Sequence, residues 1–155
     1  MGFPRSFAIT LFVLAGAASL SAREWNVCVE DRIGLDRATY SAFAREFVAL
    51  LGRSEIVLSC DSSATPLALR FYGPERYPTA LGLAYRSSNQ VLPRLEVYLN
   101  PVLRLINVRA PEIVGRALAR VAAHEVGHYV YQKVEHDCEG LMRQSFTGKM
   151  LAELR

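Results

Sequence analysis

Histidine is absent from this chain outside the window 124–136, which holds all 3. Runs of like charge are absent as well. The 18 Lys and Arg are scattered among 15 Asp and Glu, for a net charge of +3, and no cluster resembles the basic footprint of a nucleic-acid binder. No internal repeat and no low-complexity tract comes after the N-terminal segment, so a solenoid or a long disordered tail is excluded. Cysteine is scarce, and the odd number, 3, leaves at least one outside any intramolecular disulfide. What remains is ordinary globular composition, 51% hydrophobic and 21% charged.

The N-terminal segment has its own logic. Arg5 provides a positive start, "FAITLFVLAGAASL" (Phe7 to Leu20) is an uncharged apolar run, and the small residues of "AASLSA" end it. That is the layout of a secretory signal peptide cut between Ala18 and Ala22. An uncleaved anchor is the alternative, but the run falls short of the ~20 residues needed to span a bilayer. Cys28 lies too far along for lipid attachment. The expected division is a signal peptide over 1–22 and one domain over 23–155, too short for two cores. The mature protein is expected to be secreted or periplasmic, without stable membrane association, and monomeric.

Export permits disulfides. "WNVCVE" (Trp25 to Glu30) and "EIVLSC" (Glu55 to Cys60) read as strands, and "LDRATYSAFAREFVALLG" between them is an amphipathic helix with Asp36 as N-cap and Gly52 as its stop. A strand–helix–strand unit sets two strands parallel. Cys28 and Cys60 can then meet, and a bridge would add roughly 3–4 kcal/mol in the chain-entropy model; two separate buried thiols are the alternative. "LALRFYG", "LGLAYR" and "RLEVYLN" are three further strands, with "SSNQVLP" expected as a loop. The last helix begins near Pro111, a favoured first helical residue. It carries Val114, Ala117, Val121, His124 and His128 along one stripe.

His124 and His128 stand four apart on that helix, about one turn, so both imidazoles can bind one ion at ~2.0–2.1 Å from zinc. Glu125 lies about 100° around the axis. It cannot easily share the ion but can reach a water on it. A zinc ion with three protein ligands and an open position brings bound water towards pKa ~7, which suits Glu125 to act as general base and then to protonate the leaving amine. This is HExxH on the secondary structure that it requires. The candidates for completing the site are Glu135, His136, Asp137, Cys138 and Glu139. Cys138 is the strongest rival to His136, because a thiolate binds zinc well. A neutral imidazole leaves more charge on the metal and favours His136.

"HEVGHYVYQKVEHDCEGLM" resembles the metzincin signature, and more closely that of small secreted bacterial metzincin-like proteins with the pattern HExGHxxxxxxxHxxxGxM. The resemblance is specific over residues 124–142 and implies three ligands, His124, His128 and His136, with Glu125 as base and Met142 in the methionine turn beneath the metal. It implies one Zn2+ and an α+β zincin fold: a twisted, mixed five-stranded sheet with a crossover helix and an active-site helix. Leu81, Gly82, Leu83, Ala84 and Tyr85 would form the edge strand along which an extended peptide pairs. The chain departs from the family in lacking the glycine after the second histidine. Tyr131 takes its place, no glycine comes before Gly140, and the third histidine lies two residues later than usual. Only "RQSFTGKMLAELR" comes after Met142, which leaves little chain for a wall beyond the scissile bond.

Tyr131 can be read as an oxyanion donor or as packing on the core-facing stripe, and the second is favoured. Met142 can equally be a plain core methionine. The expected activity is zinc-dependent endopeptidase cleavage of a peptide or protein substrate. Two alternatives stand beside it: a gluzincin-like protease with Glu153 as third ligand, and a non-catalytic zinc-containing binding domain. The residue type at 125 argues against the latter, because a structural site needs no base there.

Overall fold

The computed structural model describes residues 25–52, 56–58, 60 and 67–153. The expected signal peptide lies outside the described residues. The elements run β1 (Trp25–Asp31), α1 (Arg37–Leu51), β2 (Ile56–Leu58), β3 (Leu67–Tyr72), β4 (Gly82–Ser87), β5 (Gln90–Tyr98), α2 (Leu99–Ile106), α3 (Pro111–Tyr131) and α4 (Gly148–Ala152). The chain is α+β. Its mixed sheet has the order β2-β1-β3-β5-β4. β1 pairs in parallel with β2 and β3, β3 pairs in parallel with β5, and β4 alone runs antiparallel, on the outer edge.

Where a sheet of five strands was expected, four make up its body and the fifth is minimal. Four strands have 6 to 9 residues, and β2 is reduced to 3 residues against the start of β1. With one neighbour only, β2 gains half the ladder hydrogen bonds of an interior strand. The "SSNQVLP" loop is also overturned. Ser88 and Asn89 make a tight turn and β5 begins at Gln90, so the segment extends the hairpin. Pro93 is tolerated because the register shifts between Ala84 and Arg86, and an irregular ladder does not require its missing N–H.

The ends of α1 agree with the sequence reading, whereas α3 begins at Pro111 as expected but stops at Tyr131, short of the Val134 to which the sequence pattern carried it. Asp36 caps α1 by accepting from the Thr39 N–H at 3.0 Å, and Gly52 closes it at φ 60°. One face of the sheet presents Val27, Leu69, Phe71, Leu95 and Val97 to Phe43 and Phe47 of α1 and to Leu118 and Val121 of α3. Phe43 stacks on Phe47 at 5.2 Å and meets Phe71 edge-on at 5.0 Å. α1 and α3 approach closely at Gly115, where a Cβ would run into the Thr39 carbonyl and into Ala42 Cβ at 2.6 Å. Cys28 and Cys60 are joined in a disulfide, which ties β1 to the chain just after β2.

The alternate positions of the sheet are polar. Glu96 is wholly buried and accepts from the hydroxyls of Tyr85 at 2.7 Å and Tyr98 at 2.8 Å, with Arg76 Nε at 2.9 Å. A buried carboxylate needs such partners. They pin edge strand β4 and the segment before it to β5. No helix among the described residues is long and apolar enough to cross a membrane.

Candidate metal centre

α3 is buried on every side over residues 117–128 because its residues there are small or apolar: Ala117, Ala119, Ala122 and Ala123 let the sheet, α1 and α2 close around it. Within that apolar stretch stand His124, Glu125 and His128, all buried. Each histidine is oriented by a main-chain carbonyl. His124 Nδ1 donates to Leu141 O at 2.8 Å, and His128 Nδ1 donates to Lys133 O at 2.7 Å. A carbonyl only accepts, so both protons sit on Nδ1 and both Nε2 atoms present bare lone pairs. The two Nε2 atoms face each other at 3.1 Å. No hydrogen bond can join two lone pairs, whereas a shared cation can, and tetrahedral zinc at ~2.0–2.1 Å would set such nitrogens about 3.3 Å apart.

His136 comes from the exposed loop after α3. Its ring lies 5.2 Å from that of His124, nearly parallel, and 4.9 Å from that of His128, edge-on. A nitrogen of each of the three histidines lies within 4.8 Å of the others. That is close enough for the three to bind one metal ion. The electrostatics suit ligands. Burial, reinforced by the neighbouring histidines against the Leu141 carbonyl, lowers His124 to about 4, and burial also lowers His128. Both are therefore neutral at pH 7, as a metal ligand must be.

Glu125 does not join the histidine cluster. Its side chain lies against Gly82 of β4, where a Cβ would come within 2.7 Å of Oε1 and 2.9 Å of Cγ. Burial alone pushes its carboxyl up to about 8. A dication beside it would draw that value down. The base candidate thus faces the edge strand from α3, and no hydrogen-bond donor to its oxygens is found among the described residues.

Met142 is buried against α3 from the far side. Gly127 makes room for it, since a Cβ there would strike its Sδ and stand 3.1 Å from its Cε. Its carbonyl accepts from the Asp137 N–H at 2.8 Å, which closes the loop carrying Cys138 and Gly140, the latter at φ 74°. Leu141, the carbonyl that orients His124, immediately precedes it. Position 142 therefore fixes His124 through the main chain.

The histidines and Glu125 open into a cleft of about 810 Å³. One side is Leu81 to Ala84; Leu81 adjoins β4 and accepts from the Tyr98 N–H at 2.9 Å. Tyr85 instead turns to Glu96. An apolar wall of the cleft is made by Pro101 and Leu105 of α2 and by Phe146, whose ring meets His124 edge-on at 5.5 Å. Sequence reasoning missed this wall, along with α2 and α4. α2 continues from β5 without a break, and its Pro101 lies in the first turn, where proline fits. The five residues of α4 hold their place through Thr147, which caps them, and through Arg120 of α3, which donates to the carbonyls of Met150 and Glu153.

Tyr131 is placed differently from expectation, and the two rival ligands, Glu153 and Cys138, do not join the histidine cluster. Tyr131 follows the histidines at helical spacing but neither packs in the core nor lines the cleft. It is 68% exposed and lines a separate groove with Leu50 and Met142, because it is the last helical residue and lies beyond the packed part of α3. Glu153 pairs with Lys149 at 3.4 Å at the end of α4 and does not line the cleft. Cys138 is free and exposed, and the metal cluster found among the described residues is made of histidines alone. No family model, curated protein or solved structure matches the chain.

Proposed function

We propose that this protein is an exported zinc-dependent endopeptidase of metzincin-like type. The observation that carries the reading is the pair of bare Nε2 atoms at 3.1 Å, completed by His136 and flanked by a buried carboxylate that is not a ligand. A zinc ion held by His124, His128 and His136 would supply Lewis acidity for amide hydrolysis at neutral pH. Glu125, on the cleft side of α3, takes the proton of the attacking water on a carboxylate oxygen and returns it to the leaving amine. Leu81 to Ala84 offer the outer edge of the sheet to an extended peptide, whose main chain would continue the ladder. Pro101, Leu105 and Phe146 would receive an apolar side chain of that peptide.

The Cys28–Cys60 disulfide is compatible with an oxidising compartment and supports export. The methionine seat at Gly127 supports the metzincin-like reading over the gluzincin-like one, as does the place of Glu153 away from the cleft.

The test is direct. Residues 23–155, refolded with zinc, should carry one equivalent by mass spectrometry and cleave a quenched-fluorescence peptide library. A chelator should abolish cleavage and zinc should restore it. Full cleavage by a metal-free preparation would refute the proposal.

A further inference from the structure

The chain reverses after α3 without glycine. Gln132 occupies the left-handed region at φ 48°, ψ 38°, a conformation that side chains other than Gly and Asn rarely take. Its amide accounts for the exception. Oε1 accepts from the Val91 N–H at 2.9 Å, and Nε2 donates to Val91 O at 3.1 Å and to Tyr129 O at 2.8 Å. The side chain thus pairs with Val91 as a neighbouring strand would, and at the same time closes the last turn of its own helix.

The metal loop comes next in the chain. The Lys133 N–H returns to His128 O at 3.2 Å, and the Lys133 carbonyl is the acceptor that orients His128 Nδ1. His136 hangs from the same reversal. On the other side, Val91 is the β5 partner of Arg86 in β4, the strand that borders the cleft.

We propose that Gln132 is a positioning residue for the metal: its amide, clamped on Val91, holds the reversal in one arrangement, and so sets both the His128 orientation and the start of the His136 loop. The inference rests on the metal reading above. A glycine would permit this arrangement without holding it, whereas the clamp fixes it and ties the ligand loop to the cleft-side hairpin.

Two substitutions separate the clamp from the backbone. Gln132→Gly takes the left-handed conformation freely, and Gln132→Asn tolerates it but is one methylene too short to span to Val91. Both should fold, and both lose the clamp. Zinc affinity of wild type and variants would be measured by competition with a chromophoric chelator, and the Val91 amide tracked by hydrogen exchange. The expected result is a zinc dissociation constant raised about 10–100-fold in both variants, the usual scale for groups that orient ligands, with Val91 exchange accelerated at least ~10-fold. Unchanged affinity in both variants, with zinc bound by the wild type, would overturn the role of Gln132 alone. A wild-type protein that binds no zinc would overturn this inference and the metal reading together.

Discussion

Replacing Gly82 by alanine adds one methyl group between the edge strand and Glu125, and the structure sets its consequence. The new Cβ would lie 2.7 Å from Glu125 Oε1, 2.9 Å from Glu125 Cγ and 2.9 Å from Glu96 O. Ordinary contacts between such atoms begin near ~3.5 Å, so something must retreat by roughly 0.6–0.8 Å. Glu96 O belongs to the paired strand β5, and the Glu96 side chain is locked by Tyr85, Tyr98 and Arg76, so that side resists. The Glu125 side chain is the softer neighbour. Overpacking of this kind costs typically ~1–3 kcal/mol in stability, and a misplacement near 1 Å costs on the order of 10²-fold in rate. Gly82→Ala should therefore bind one zinc ion with wild-type affinity while kcat/KM falls about 30–100-fold, measured with a quenched peptide. The loss should vanish on a Glu125→Gln background, where there is no base left to displace. Equal losses on both backgrounds would show that the methyl group acts on peptide docking along β4 instead, and would refute the argument through Glu125.

Glu125→Gln should retain one zinc ion while activity falls at least ~100-fold, since an acid–base contribution is lost and no ligand is; metal loss, read by mass spectrometry, would instead make residue 125 a ligand or a prop. In metal-free protein the same substitution reports on pH. The carboxyl is raised to about 8 from an ordinary 4.5, so above 4.5 the unfolded state ionises while the folded state holds its proton. Relative to Glu125→Gln, wild type therefore loses stability as pH rises from about 4.5 to about 8. In urea titrations the advantage of the variant should widen across that window and level off above it; a constant gap would contradict the burial argument. His136→Ala should lose most bound zinc, whereas Cys138→Ser should keep both metal and activity, and the opposite outcome would move the third ligand to the thiolate.

Much of this site was legible in the sequence because its signals are local. The HEVGH spacing needs only a helix, and the helix announces itself by Pro111 and by the apolar positions after it. Cys28 falls on one of two strands that a strand–helix–strand unit sets side by side, and Cys60 comes just after the other. The edge strand followed only from the family resemblance, because its place beside β5 depends on a tight turn at Ser88 and Asn89 that the sequence pattern presented as a loop. The features that stayed hidden depend on contacts between segments distant in sequence. α4 has five residues and is placed by Arg120, far up the chain. The apolar wall at Pro101, Leu105 and Phe146 gathers residues from two elements with no shared period. Tyr131 was misplaced because a helical stripe says which face a residue occupies, and says nothing of where the packing stops.

The missing glycine shows the same division most clearly. By sequence, the absence of a left-handed residue after the second histidine made the path to His136 the weakest point of the metal assignment. Gln132 gives no local sign of its role, since glutamine has no preference for the left-handed region. Its conformation becomes stable only when Val91, forty-one positions earlier, presents both a donor and an acceptor at the distance that an amide spans. A glycine at this place would make the turn independent of the sheet. On the proposed reading, the glutamine turn forms only once the β4–β5 hairpin is in place, so that His136 would be brought to His124 and His128 by the same structure that borders the cleft. Metal affinity and the integrity of that edge are then one property, and a change that frays the hairpin at Val91 should weaken zinc binding without touching a ligand.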